Sequence, residues 1–178
     1  NITERYDGYG NSIKRVMNNR DHEPGLLGVV ADIVKVDKEY EIAVETALGG
    51  SIQNIVTDNE ETAKRMIQFL KKNKFGRATF LPLTSMHGGN GIRNEEALRE
   101  PGVIGLANTL VHVEKKYQVL ADQLLGKTIV VDHIDHGIAI ARKYRQSLRL
   151  VTLEGDLINP GGSMTGGAFK NSSNLLSR

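Results

Sequence analysis

The chain repeats itself once, and this repeat limits its fold more than any other feature. Pro24 to Gly49 lies over Pro101 to Gly126 without a gap, at a constant offset of 77 residues, with nine of 26 positions identical. The identities are Pro24/Pro101, Gly25/Gly102, Gly28/Gly105, Val34/Val111, Val36/Val113, Lys38/Lys115, Tyr40/Tyr117, Leu48/Leu125 and Gly49/Gly126. Three glycines and a proline in register point to duplication, and a single repeat of this size predicts two related subdomains, not a solenoid. The physical reading is two similar α/β units that bury a face against each other or against another chain.

The hydrophobic pattern fills in each copy. In the first, Leu26–Val30 reads as a strand and Lys38–Leu48 as a helix ended by Gly49-Gly50. Ile52–Val56 reads as a second strand. Asp58 or Asn59 then caps a helix to about Lys72, with Ala63, Met66, Ile67, Phe69 and Leu70 expected inward. Ala78–Leu81 is expected as a strand closed by Pro82, and Met86–Gly91 as a glycine-rich loop. The second copy predicts strands at Val103–Leu106, Thr128–Val131 and Leu148–Leu153, with helices at Lys115–Leu125 and Ile134–Tyr144. Residues 1–19 read as a polar helix that needs a partner, and 171–178 as the possible start of another.

Bulk properties exclude several classes. With 178 residues, 39% apolar and 25% charged, the chain has enough material for a core without staples. It has no cysteine, so disulfides and thiolate metal sites are ruled out. No apolar run reaches the roughly 20 residues needed to cross a bilayer. The chain begins without Met, which predicts a fragment of something longer or a processed product. A net charge of +2 is too weak to argue nucleic-acid binding from composition.

The motifs of chemistry read as bland structure. Gly126-Lys127-Thr128 mimics the end of a phosphate loop, but Ala121 stands where the first glycine belongs, and the order is helix then strand instead of the reverse. Asp132-His133-Ile134-Asp135-His136 resembles a metal cluster. At the start of a helix, however, its favoured reading is a solvated cap that suits the helix dipole. No nucleophile elbow or His-Glu-x-x-His pair is present. The expectation is no catalytic residue, no metal and no cofactor.

Two features do point outward. In Asn159–Phe169, the pairs Gly161-Gly162 and Gly166-Gly167 stand five residues apart among apolar Met164, Ala168 and Phe169. Glycine inside a strand marks close approach by another backbone, and a glycine-rich strand can pair along a sheet edge with a second chain. Basic residues cluster at Lys71, Lys72, Lys74 and Arg77, and again at Arg142, Lys143, Arg145 and Arg149. Such clusters favour solvated helix ends, where cations suit the dipole; any DNA contact would be to phosphates and sequence-blind.

Together these stretches resemble the hinge of SMC (structural maintenance of chromosomes) proteins of the bacterial branch. The resemblance rests on Gly28-Val29-Val30-Ala31-Asp32, on Tyr40 to Gly49, on Gly76 to Leu83, and above all on Gly155-Asp156-Leu157-Ile158-Asn159-Pro160-Gly161-Gly162-Ser163-Met164-Thr165-Gly166-Gly167. It implies a mixed α/β hinge fold of two duplicated subdomains, 24–100 and 101–170, flanked by coiled-coil roots at 1–19 and 171–178. It also implies a homodimer, each interface joining a first-half subdomain to the partner's second half, with Gly161, Gly162, Gly166 and Gly167 at the contact.

DNA contact is implied as well, in part through basic residues after the closing motif. Only Lys170 stands there, so Lys71, Lys72 and Lys74 are further candidates. The parent would be a cytoplasmic, nucleoid-associated chromosome condensation and segregation protein with accessory condensin subunits. Its ATPase heads are absent from this chain, which is expected not to be an enzyme. The competing reading is a stand-alone, sequence-nonspecific DNA-binding module.

Overall fold

The computed structural model describes residues 10–169 and Leu176. In chain order the elements are helix α1 (Asn11–Met17), strand β1 (Leu26–Val29), helix α2 (Val30–Ile33), strand β2 (Lys35–Val36), helix α3 (Glu41–Leu48) and strand β3 (Ile55–Thr57). Helix α4 (Glu60–Asn73), strand β4 (Phe80–Pro82), strand β5 (Val103–Leu106) and strand β6 (Val111–His112) follow. Helix α5 (Gln118–Leu125), strand β7 (Thr128–Val131), helix α6 (Ile134–Lys143), and strands β8 (Arg149–Thr152), β9 (Leu157–Ile158) and β10 (Met164–Thr165) complete the α-helices and strands of the described residues, with short 3-10 turns between them.

These elements form two compact units, and the units are not contiguous halves. Among the described residues, one comprises those up to Ile33 together with Gly50–His87; the other comprises Val34–Gly49 and those from Gly88 onward. Val34–Gly49, expected with the first subdomain at 24–100, therefore groups with the second unit. Its anchors there are physical. β2 pairs antiparallel with β6, α3 packs on β8 and α5, and the half-buried Arg149 donates to the Ala47 carbonyl at 3.1 Å and to Thr128 Oγ1 at 2.7 Å.

The first unit holds a three-stranded sheet in the order β1-β3-β4, with β1–β3 antiparallel and β3–β4 parallel. Ile55 and Val56 of β3 are fully buried. The unit covers this sheet with α4, whose Ala63, Met66 and Leu70 recur at helical spacing and face inward. Ile67, expected inward, is 41% exposed and Phe69 only partly buried, because the apolar stripe of α4 is narrower than its sequence implies. Asn59 caps α4 by accepting from the Thr62 amide, and Lys74 ends it in the left-handed conformation at φ 56°.

The second unit holds a five-stranded sheet in the order β10-β9-β8-β7-β5. Its core gathers Ala97, Ile129, Val131, Ile140, Ala141, Leu148, Leu150 and Ile158. Every residue of β7 is buried, as expected of a central strand with both faces covered. The glycine-rich closing segment, expected as a strand or turn, is a hairpin. Its first strand, β9, was not predicted, and neither was the short β2–β6 pair. Strands of two residues are too short to show a period.

The duplication is visible in the pairing. β1–β3 matches Leu26 with Thr57, Gly28 with Val56 and Val29 with Ile55; β5–β7 matches Val103 with Val131, Gly105 with Val130 and Leu106 with Ile129. Both pairs shift register before the glycine, Gly28 or Gly105. Each copy then adds a parallel strand, β4 beside β3 and β8 beside β7.

Candidate functional site

The glycine-rich hairpin forms one edge of the five-stranded sheet. β10 runs antiparallel to β9, with Met164 opposite Ile158 and Thr165 opposite Leu157. Among the described residues β10 pairs with no other strand, so its outer side is an open edge. The turn is closed from within: Asn159 donates its amide to the Ser163 carbonyl at 2.9 Å, and Gly162 donates to the Asn159 carbonyl at 2.9 Å. Gly161 donates to the Gln146 carbonyl at 2.7 Å, which fastens the turn to the loop between α6 and β8.

The four glycines do different things. Gly161, Gly162 and Gly167 sit at φ 93°, 99° and 130°, where any residue with a Cβ is strained. A Cβ on Gly161 or Gly167 would meet nothing within 4 Å, so space inside the chain does not require bareness there. Gly166 is bare for an internal reason, since a Cβ would stand 2.6 Å from Asp156 Oδ1. Asp156 in turn closes the β8–β9 turn: its amide donates to Thr152 Oγ1, and that hydroxyl donates to its carboxylate, both at 3.0 Å.

The edge also carries exposed apolar side chains. Met164 is 53% and Phe169 63% exposed, and Ile42 of α3 is 40% exposed. Ile42 and Phe169 both approach Gly155, the φ 92° residue of the β8–β9 turn, where a Cβ would stand 2.9 Å from each. Ile42 was not singled out from the sequence, because it lies beside the buried stripe of Ala43, Val44 and Ala47 and gives no signal of its own.

The basic candidates separate. Lys71 and Lys72 form the last turn of α4 and Lys74 its C-cap; all three are exposed, and among the described residues none has an ion-pair partner. They lie at the negative end of the helix dipole. In the second unit, Lys143 is engaged by Glu100 at 2.8 Å, and Arg149 is half-buried and hydrogen-bonded, with burial lowering its pKa. Only Arg142 and Arg145 of that group stand exposed without such a contact among the described residues. Lys170, and residues 1–9, 171–175 and 177–178 of the coiled-coil roots expected at 1–19 and 171–178, lie outside the described residues.

At Gly126 the chain leaves helix α5 and enters β7, the reverse of a phosphate loop. Asp132 opens the turn before α6 and binds His136, whose Nδ1 lies 2.8 Å from Asp132 Oδ1, and this hydrogen bond holds the carboxyl below its usual pKa. No helix among the described residues is long and apolar enough to cross a membrane.

Comparison with known proteins places this arrangement. The family model for the flexible hinge domain of SMC proteins matches residues 23–141. Chromosome partition protein Smc of Desulfitobacterium hafniense is 40% identical over 183 residues, covering 100% of this chain and 15% of that protein. The Smc of Bacillus subtilis is 38% identical, covering 96% of this chain and 15% of its own length. The chain thus spans about 15% of the relatives it matches. Among solved structures, an asymmetric dimer of the Geobacillus stearothermophilus SMC hinge domain matches at a TM-score of 0.88 and 38% identity, covering 98% of this chain and 71% of that one. The Pyrococcus furiosus SMC hinge domain matches at 0.74 and 29% identity, covering 97% and 88%. The chain belongs to the family of SMC flexible hinge domains.

Proposed function

We propose that this domain is the dimerisation hinge of a chromosome-partition Smc protein, joining two coiled-coil arms through docking of a second copy on the edge strand β10. The observation that carries this reading is the open edge itself: a strand with exposed Met164, beside exposed Phe169 and Ile42, flanked by two glycine pairs that leave its main chain accessible. A row of unpaired backbone groups next to apolar side chains is a template for strand addition. The dimeric Geobacillus stearothermophilus hinge supports this reading.

The counterpart on the partner is the first unit's open strand, β4. It edges its sheet, and its Phe80 and Pro82 border a shallow groove of about 500 Å³ that Ile67 also lines. The chain has no native cysteine, so the pairing has a clean test. Met164→Cys mixed with Leu81→Cys should give a disulfide-linked dimer on mild oxidation. Covalent dimer no more abundant than from a control pair of exposed cysteines would reject β4 as the counterpart.

A DNA contact at Lys71, Lys72 and Lys74 is the accompanying proposal, supported by their convergence at one exposed helix end. It predicts binding to duplex DNA of any sequence that falls steeply with salt, and a smaller salt slope after Lys71→Ala, Lys72→Ala and Lys74→Ala are combined. Binding that is flat with salt, or unchanged in the triple variant, would reject it.

A further inference from the structure

We propose that Asp132, His133 and His136 form an open binding site in the second unit for one divalent transition-metal ion of the zinc class. Among the described residues they are the one group of three potential ligands whose donor atoms, one from each, all lie within 4.8 Å of one another. His136 Nδ1 lies 2.8 Å and His133 Nε2 3.8 Å from the two oxygens of Asp132. Ligand atoms bound at roughly 2.0–2.1 Å around a tetrahedral zinc stand about 3.3 Å apart. The two separations run to different oxygens of the carboxylate, so with one oxygen bound the side chains close on the ion by small rotations, and the ion takes the place of the hydrogen bond between His136 Nδ1 and Asp132. A neutral His136 ring then carries its proton on Nε2. The imidazoles are stacked at 4.3 Å between centroids. His133, whose side chain is 53% exposed, needs a modest turn out of that stack to aim its nitrogen at the ion. The fourth position faces solvent and takes water, as in open zinc sites.

The first copy shows what this turn looks like when it serves structure alone. Asp58, Asn59 and Thr62 stand where Asp132, His133 and His136 stand in the second. Thr62 Oγ1 donates to Asp58 Oδ1 at 2.9 Å, as His136 meets Asp132, and Asn59 caps the helix. Both turns fold back on a glycine: Asp58 donates its amide to the Gly25 carbonyl and Asp132 donates to that of Gly102, each at 2.9 Å. A Cβ would stand 2.3 Å from His136 Nδ1 on Gly102 and 2.3 Å from Thr62 Oγ1 on Gly25, so in both copies the glycine leaves room for the residue that meets the aspartate. The fold of the turn therefore needs an aspartate and a small donor, not two imidazoles. His133 makes no side-chain cap bond at all. The histidine pair is an addition that structure does not demand, and its chemistry is that of a metal ligand.

The double variant His133→Asn and His136→Thr rebuilds the first copy's turn in the second and keeps the aspartate clasp. Zinc chloride titrated calorimetrically into the chain, with cobalt(II) absorbance to report coordination by nitrogen, should give one ion per chain. The double variant should retain its thermal midpoint and bind zinc weaker by about a hundredfold, since lost ligands act at least as strongly as lost outer-shell partners. His133→Ala alone should weaken binding at least tenfold without unfolding. The proposal is overturned if the wild type binds no zinc at millimolar concentration, or if either variant binds as the wild type does. The latter result would place the ion at His22, His87 or His112 instead.

Discussion

Lys35 stands directly opposite His112 in the antiparallel pair of β2 and β6. The two are 77 residues apart, the offset that relates the copies, so equivalent positions of the duplication face each other across this short ladder. That is the signature of a local twofold relation. It gives the segment Val34–Gly49 a reason to leave the first copy's unit for the second, and His112 Nε2 adds a contact to Asp37 Oδ1 at 3.3 Å. Exposed pairs of this kind contribute little, so the apolar face of α3 and the Arg149 contact must hold the segment.

Arg149→Met tests that anchoring. The change keeps most of the apolar stem but removes the donor to the Ala47 carbonyl and Thr128 Oγ1. It should destabilise the second unit by about 1.5–3 kcal/mol, the range for hydrogen bonds to a charged group. The reading is native-state hydrogen exchange: amides of α3 should lose protection while those of α4 keep theirs. Equal loss in both helices would contradict the anchoring role.

The two helix starts predict an asymmetry. Asn59 caps α4 with its side chain, and His133, at the equivalent place before α6, does not. Asn59→Ala should therefore cost about 1 kcal/mol, while His133→Ala should cost no more than a few tenths. Denaturant melts of the two variants check this, and equal losses would show that cap chemistry is not what separates the two copies.

These helix starts also show what was legible from sequence. Aspartate and asparagine before an apolar periodic run announce a capped helix, and α4 follows from pattern alone; the strands beside it are displaced from the expected ranges, since Ile52 lies in a 3-10 turn before β3 and β4 starts at Phe80 and takes in Pro82. The duplication was readable because Pro24, Gly25 and Gly28 recur in register as Pro101, Gly102 and Gly105, residue types that constrain or free the backbone. The crossing of Val34–Gly49 into the second unit was not legible, because pairing of β2 with β6 depends on contacts 77 residues apart and two-residue strands carry no period. Nor was the exposure of Ile42, which approaches the Gly155 turn from more than a hundred residues away in the chain.

Acid and alkali should act on one cluster from opposite sides. Glu100 accepts from the Tyr144 hydroxyl at 2.8 Å and pairs with Lys143 at 2.8 Å. Lys143, and then Tyr144, lower the Glu100 pKa below its usual value; the same carboxylate and burial push Tyr144 up to about 12 from 10.0. The stability from Glu100 is present above the ordinary carboxylate range and is lost as pH falls through its lowered folded value. The stability from Tyr144 is present below about pH 10 and is lost as pH rises towards about 12. Thermal midpoints measured against pH should show both limbs, with Glu100→Gln flattening the acid limb and Tyr144→Phe the alkaline one. Unchanged limbs would mean that the cluster does not report on folding.

The edge strand β10 is the point on which the account of function rests, and mass in solution tests it most directly. Met164 is exposed on a strand that needs no side chain there to fold, so Met164→Lys should leave the second unit intact and place a charge on the docking edge. Light scattering of the wild-type chain at micromolar concentration should give twice the chain mass of 19.6 kDa, and the lysine variant should return the single mass with an unchanged thermal midpoint. A wild-type chain that scatters as a monomer, or a Met164→Lys variant that remains dimeric, would contradict the account.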